Sequence, residues 1–203
     1  MDVIDRKFFF DTCRNSFGGF KASQVEGIDF LLDKFDESTD FDSKSKIAYG
    51  FATIKRETAD TYKPVNEGYW MSSNRVGKLY SYYSSHNPGA LSTIFPHGKN
   101  GGNYLGRGYV QLTHNFNYKK LGDALDLELL EDPSIALDPQ NAFKIMEYGM
   151  VHGSFTGKKL SNYFTDNGYD FYNARKIING LDAAREIAGH AAVFFSAIKF
   201  KKK

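Results

Sequence analysis

The chain has 203 residues, 41% of them hydrophobic and 16% aromatic, which is enough to bury one core in a single domain or a compact two-lobed one. A net charge of +2 creates no demand for a nucleic acid, and a lone cysteine, Cys13, excludes any intrachain disulfide. The opening MDVIDRKFFFDTCR lacks the basic and apolar regions of a secretory signal, and no apolar run approaches the roughly 20 residues needed to span a bilayer.

Taken in chain order, Val25, Ile28, Leu31, Leu32 and Phe35 recur at helical spacing, and Ser23 with Glu26 reads as a capping box, so a helix is predicted over 23–36. The polar DESTDFDSKS is a loop. Ile47, Ala48, Phe51, Ile54 and Thr58 then mark a helix over 44–59, which must end before Pro64 because proline lacks an amide hydrogen. Residues 68–104 are rich in Gly, Ser, Asn and Tyr and form a loop-rich lobe with one short helix over 75–84. Further helices are predicted from YKKLGDAL, over 138–151, and from Asp182 to about Lys199. The pattern describes two helical lobes around a small β element.

The segment GRGYVQLTHNFNY, Gly106 to Tyr118, carries the densest chemistry. As a short strand it would place Val110 and Leu112 on one face and Tyr109, Gln111 and Thr113 on the other. Gly106 and Gly108 permit unusual dihedrals or close backbone approach at its entrance. Asn115 reads as a helix N-cap, with Asn117 and Tyr118 in the first turn. Amide, hydroxyl and aromatic groups in one row suit a neutral, hydroxyl-rich, acetamido-bearing ligand.

Glu57 closes the apolar helix, and Glu67 follows beyond Pro64. In an unbroken helix their ten-residue spacing would separate them by about 15 Å. A loop after the proline can instead bring Glu67 to face Glu57, and opposed carboxyls are what glycoside hydrolysis requires. Glu57, one turn after Ile54, is the candidate acid, and Glu67, on a loop, the candidate base. The five histidines lack the spacing of a zinc site, so neither a metal nor another cofactor is expected. Cys13 reads as a packing residue, which excludes a papain-like peptidase.

Three blocks resemble glycoside hydrolase family 19. GRGYVQLTHNFNYKKLG is similar to its Gly-Arg-Gly-x-x-Gln-Leu-Ser/Thr-x-x-x-Asn-Tyr core, IKRET to its His-Glu-Thr helix end, and KIINGLDAAREIAGHAAVFF to its C-terminal Ile-Asn-Gly segment and helix. FGGFKASQVEGIDFLLDKF further resembles the small phage endolysins of the family. The resemblance implies Glu57 as general acid, Glu67 as general base, and Thr113 as the hydroxyl that positions the attacking water. It implies sugar contacts at Gln111, Asn117 and Asn179, with Tyr118 beside them, and Arg185 as the arginine that pairs with the acid. Arg56 stands where the family has His, and either alters the charge felt by Glu57 or points to solvent.

The expected fold is mainly α (α+β, lysozyme-like): two helical lobes around a small β-hairpin, with a substrate cleft between them. It spans 1–203 as a single catalytic domain whose loop-rich lobe covers about 60–108, without a separate binding module. The expected activity is inverting hydrolysis of the β-1,4 glycan of bacterial peptidoglycan by a monomeric endolysin, made in a host cytoplasm and acting on the cell wall after release. Chitin is the alternative polymer, and a non-catalytic wall-binding protein the alternative of another class. The tail IKFKKK, with Lys199, Lys201, Lys202 and Lys203, is either a solubilising end or a contact for the anionic outer-membrane surface.

Overall fold

Helices carry most of the ordered backbone in the computed structural model, which describes residues 2–71 and 73–202, and the architecture is mainly α as expected. Strand β1 (Asp2–Ile4) leads into α1 (Arg6–Phe17), where the N-cap Asp5 accepts from the Phe8 amide at 3.1 Å. This helix buries Phe9, Phe10 and Cys13 and leaves Phe8 exposed. Helix α2 (Ala22–Glu37) starts earlier than predicted, because Gln24 reaches back to the Lys21 amide at 2.8 Å and Ser23 is already helical. It turns Ile28, Leu31, Leu32 and Phe35 inward. Helix α3 (Lys44–Glu57), capped by Ser43, stops short of the predicted 59. Ala59, Asp60 and Tyr62 take φ of 46°, 65° and 54°, a left-handed backbone that cannot continue a right-handed helix.

Beyond Pro64 come β2 (Val65–Asn66), α4 (Arg75–His86), the short α5 (Leu91–Ile94), β3 (Arg107–Gly108) and α6 (Asn115–Leu125). Strands β2 and β3 pair antiparallel, with Val65 opposite Gly108 and Asn66 opposite Arg107. Leu79, Ala90, Ile94, Phe95 and Leu105 form an apolar cluster, with Met71, Val76, Tyr80, Tyr83 and Leu91 packed against it. Helix α7 (Pro139–His152) follows, then the hairpin of β4 (Phe164–Thr165) and β5 (Gly168–Tyr169). The short α8 (Phe171–Ala174), α9 (Ala184–Ala197) and β6 (Phe200–Lys202) complete the order.

The chain divides into two compact units. One combines Met1–Lys63 with Glu147–Lys203, and the other is Pro64–Met146. The first is centred on Phe9, Phe51 and Phe194, whose ring centroids lie 5.0, 5.3 and 5.9 Å apart pairwise. It is tied by the antiparallel pair β1 and β6, with Val3 opposite Lys201. The basic tail is therefore part of a strand: Lys201 lies 3.6 Å from Asp5, and Lys199 sits over the Phe8 ring at 5.6 Å. Lys203 lies outside the described residues. No helix among the described residues is long and apolar enough to cross a membrane.

The predicted strand through Tyr109–Thr113 does not form. Arg107 and Leu112 exchange backbone hydrogen bonds of 3.1 and 2.9 Å, so the chain reverses within residues 108–111, with Gln111 at φ 52°. Tyr109 and Val110 are both buried, where strict alternation would bury only one. The N-cap of α6 is His114, at φ 73°, in place of Asn115; its carbonyl accepts from the Asn117 and Tyr118 amides.

Candidate active site

Glu67 follows β2 immediately and is held at every polar point. Its amide donates to the Gly106 carbonyl at 2.7 Å, and its carbonyl accepts from Arg75 Nη1 at 2.8 Å. Its carboxylate accepts from Tyr83 Oη at 2.9 Å on Oε1 and from the Gly106 amide at 3.0 Å on Oε2. Burial, reinforced by the Glu67 charge, raises Tyr83 well above the usual phenol range, so the proton stays on the tyrosine.

The two glycines flanking Arg107 have separate causes. A Cβ on Gly106 would stand 2.8 Å from Gln111 Oε1 and 3.3 Å from Glu67 Oε2, so glycine lets the backbone approach both side chains without displacing either. Gly108 sits at φ 86°, and a Cβ there would meet the Ala136 carbonyl at 2.9 Å. Gln111 Nε2 donates to the Val65 carbonyl at 3.0 Å, so this expected sugar contact is partly engaged in joining its turn to β2. Thr113 Oγ1 donates to the Gln111 carbonyl at 2.7 Å, and Asn117 Nδ2 to the Thr113 carbonyl at 2.9 Å. The five expected residues Glu67, Gln111, Thr113, Asn117 and Tyr118 all lie in the unit Pro64–Met146.

Tyr118 does not present a face to a ligand. It is 0% exposed, donates to the Leu105 carbonyl at 2.8 Å and accepts from Arg107 Nη1 at 3.1 Å. Burial pushes its hydroxyl up to about 12, against the lowering influence of Arg107. Arg107 is itself buried, and it also donates to the Asn103 and Leu105 carbonyls and to Asn103 Oδ1. The pair braces the loop before Gly106 from behind.

In the other unit, Glu57 is the last residue of α3. Its Oε1 accepts from Arg175 Nη1 at 2.5 Å, and Arg175 Nε donates to the Asp182 carbonyl at 2.9 Å. The arginine on the acid candidate is thus Arg175; Arg185, which the resemblance suggested, is exposed on α9. Asn179 lies one turn beyond Arg175, its amide donating to the Arg175 carbonyl at 3.0 Å, and its Oδ1 accepts from the Gly180 amide. Arg56 is exposed and faces Glu186 at 3.6 Å, which leaves Glu57 to Arg175.

Sequence reasoning missed Tyr83, Arg75 and Arg175, and it passed over exposed aromatics. Trp70 is 70% exposed with Tyr69 edge-on at 5.3 Å, and exposed Phe116 stacks on His114 at 5.2 Å. The signal for the first pair was GYW directly after Glu67. Among the described residues no group of three or more His, Cys, Asp or Glu side chains could hold a metal. A cavity of about 330 Å³ beside Ile4, Arg6, Asp33 and Lys201 is lined by none of the expected site residues.

A family model described as chitinase class I, of glycoside hydrolase family 19, matches residues 14–154. Chitinase 11 of Oryza sativa subsp. japonica is 50% identical over 42 residues, which are 20% of this chain and 16% of that protein. Endochitinase 4 of Solanum tuberosum is 44% identical over 45 residues, 22% of this chain and 15% of that protein. The matched segments therefore span well under a fifth of these relatives' own length. Chitinase C from Streptomyces griseus HUT6037 aligns with a TM-score of 0.44 and 21% identity, over 90% of this chain and 77% of that one. The family match takes in Glu57, Glu67 and the whole of Gly106–Tyr118, and the chain belongs to glycoside hydrolase family 19.

Proposed function

We propose that the protein hydrolyses β-1,4-linked glycan by a single inverting displacement, with Glu57 as general acid and Glu67 as general base. The observation that carries this reading is the carboxylate of Glu67, which receives two donors, one on each oxygen. Each oxygen keeps a further lone pair, so a water can donate to it while the positioning bonds persist. The base takes that proton as the water attacks the anomeric carbon. Thr113 spends its own proton on the Gln111 carbonyl, which turns its hydroxyl oxygen into an acceptor for the same water.

Glu57 gives its proton to the leaving oxygen. Arg175, fixed by the Asp182 carbonyl, orients the carboxyl and stabilises the anion that remains after transfer. Asn179 and the free lone pairs of Gln111 and Asn117 are assigned to acetamido and hydroxyl groups. Trp70, Tyr69 and Phe116 offer exposed aromatic faces for sugar rings.

The preferred substrate is bacterial peptidoglycan, cleaved by an endolysin that lyses the cell. The likeness of FGGFKASQVEGIDFLLDKF to phage endolysins supports it, as does a chain with one cysteine. The names of the plant relatives favour a second reading, chitin. Digests of both polymers separate the two, since mass spectrometry identifies the sugar at each new reducing end and proton NMR its first-formed anomer. Native protein should clear outer-membrane-stripped cells and Glu57→Gln should not. Equal binding with no hydrolysis of either polymer would instead mark a wall-binding module.

A further inference from the structure

Helix α4 grips Glu67 at two places. Arg75, its first residue, donates to the Glu67 carbonyl, and Tyr83, two turns later, donates to Oε1. The Tyr83 ring is half-buried and packs at 62° to Phe95 with centroids 6.4 Å apart, and Phe95 belongs to the apolar cluster with Leu79 and Ile94. Packing therefore sets the position of the hydroxyl before any hydrogen bond forms, and a ring with two side-chain torsions loses little freedom in holding it. The adjacent Tyr82 is exposed and stacks on His86, so the two neighbouring tyrosines do different work.

We infer that Tyr83 is a positioning residue for the base: its hydroxyl aims the Glu67 carboxylate at the attacking water. The inference rests on the proposed role of Glu67. Without that hydroxyl the carboxylate can turn away from the water while substrate contacts stay in place, so turnover falls and binding does not. Arg75 still holds the Glu67 carbonyl and the Gly106 amide still meets Oε2, so the substitution removes only the grip on Oε1.

The test is kcat and KM on solubilised peptidoglycan strands and, in parallel, an N-acetylglucosamine hexamer, for native protein, Tyr83→Phe, Tyr82→Phe and Glu67→Gln. Tyr83→Phe should lower kcat by about tenfold, the scale set by one hydrogen bond to a charged group, with KM unchanged. Tyr82→Phe should match native protein in both constants. An unchanged kcat in Tyr83→Phe beside an inactive Glu67→Gln overturns the inference and leaves the base assignment standing. Turnover retained by Glu67→Gln overturns the assignment itself. Should Tyr83→Phe not fold, 4-fluorophenylalanine at position 83 keeps the ring and its length but donates nothing, and an unchanged kcat there counts against the inference.

Discussion

The Arg175 guanidinium meets the Glu57 carboxylate at 2.5 Å across 118 positions of sequence. Arg175 is 4% exposed and Glu57 15%, so water can replace neither partner fully. Removing either partner leaves the buried polar atoms of the other unpaired. Arg175→Met is expected to cost about 3 kcal/mol in urea unfolding, and pairing it with Glu57→Gln should restore part of that loss. A double-mutant cycle in which the two changes simply add would deny the coupling.

Gly106→Ala tests the close approach behind Glu67, the proposed base. The new Cβ would press on Gln111 Oε1 and Glu67 Oε2, so the carboxylate must shift to relieve it. A shift of this size is expected to lower kcat by about tenfold, with a stability loss of about 1–3 kcal/mol. Near-native turnover in a folded Gly106→Ala protein would show that the Glu67 carboxylate tolerates a Cβ beside it.

Much of this was legible in the chain. The stripes through Ile28 to Phe35 and Ile47 to Ile54 gave α2 and α3, and Pro64 marked a point that α3 could not pass. Helix α1 was hidden because three consecutive phenylalanines mask a 3.6-residue period, and only the cap at Asp5 betrays its start. The strand error at 109–113 has one cause: Gln111 adopts φ 52°, which alternation of polar and apolar residues cannot report. Arg175 was invisible for another reason. No local pattern distinguishes it from Arg185, and only tertiary packing selects which arginine reaches Glu57.

Tyr118→Phe separates a brace from a ligand contact. The change removes a donor to Leu105 and an acceptor for Arg107, with an expected cost of about 1–3 kcal/mol. Affinity for glycan oligomers, measured by calorimetry on the folded variant, should be unchanged. Weaker sugar binding at native stability would restore the aromatic contact inferred from sequence.

His190 gives the protein a pH-dependent stability of known sign. Burial, and then the charge of Lys55, lower its pKa below the ordinary 6.5, and its Nδ1 is buried without a hydrogen-bond partner. The unfolded chain therefore binds a proton that the folded one resists. The contribution is fully present above the unfolded value near 6.5 and is lost as pH falls through the window below it. His190→Gln should flatten the slope of unfolding free energy between pH 7 and 5 relative to native protein, read by denaturant titration at each pH. His114, also lowered by burial, contributes in the same direction and remains in both proteins.

The pairing of residues 2–4 with 200–202 sets an order on assembly during translation. Pro64–Met146 is continuous and can close as soon as it leaves the ribosome, whereas the unit carrying Glu57 must wait for Arg175, Phe194 and the last strand. A nascent chain halted before Arg175 would expose the acid candidate without its guanidinium. Synthesis itself thus acts as a timer on the finished Glu57–Arg175 pair.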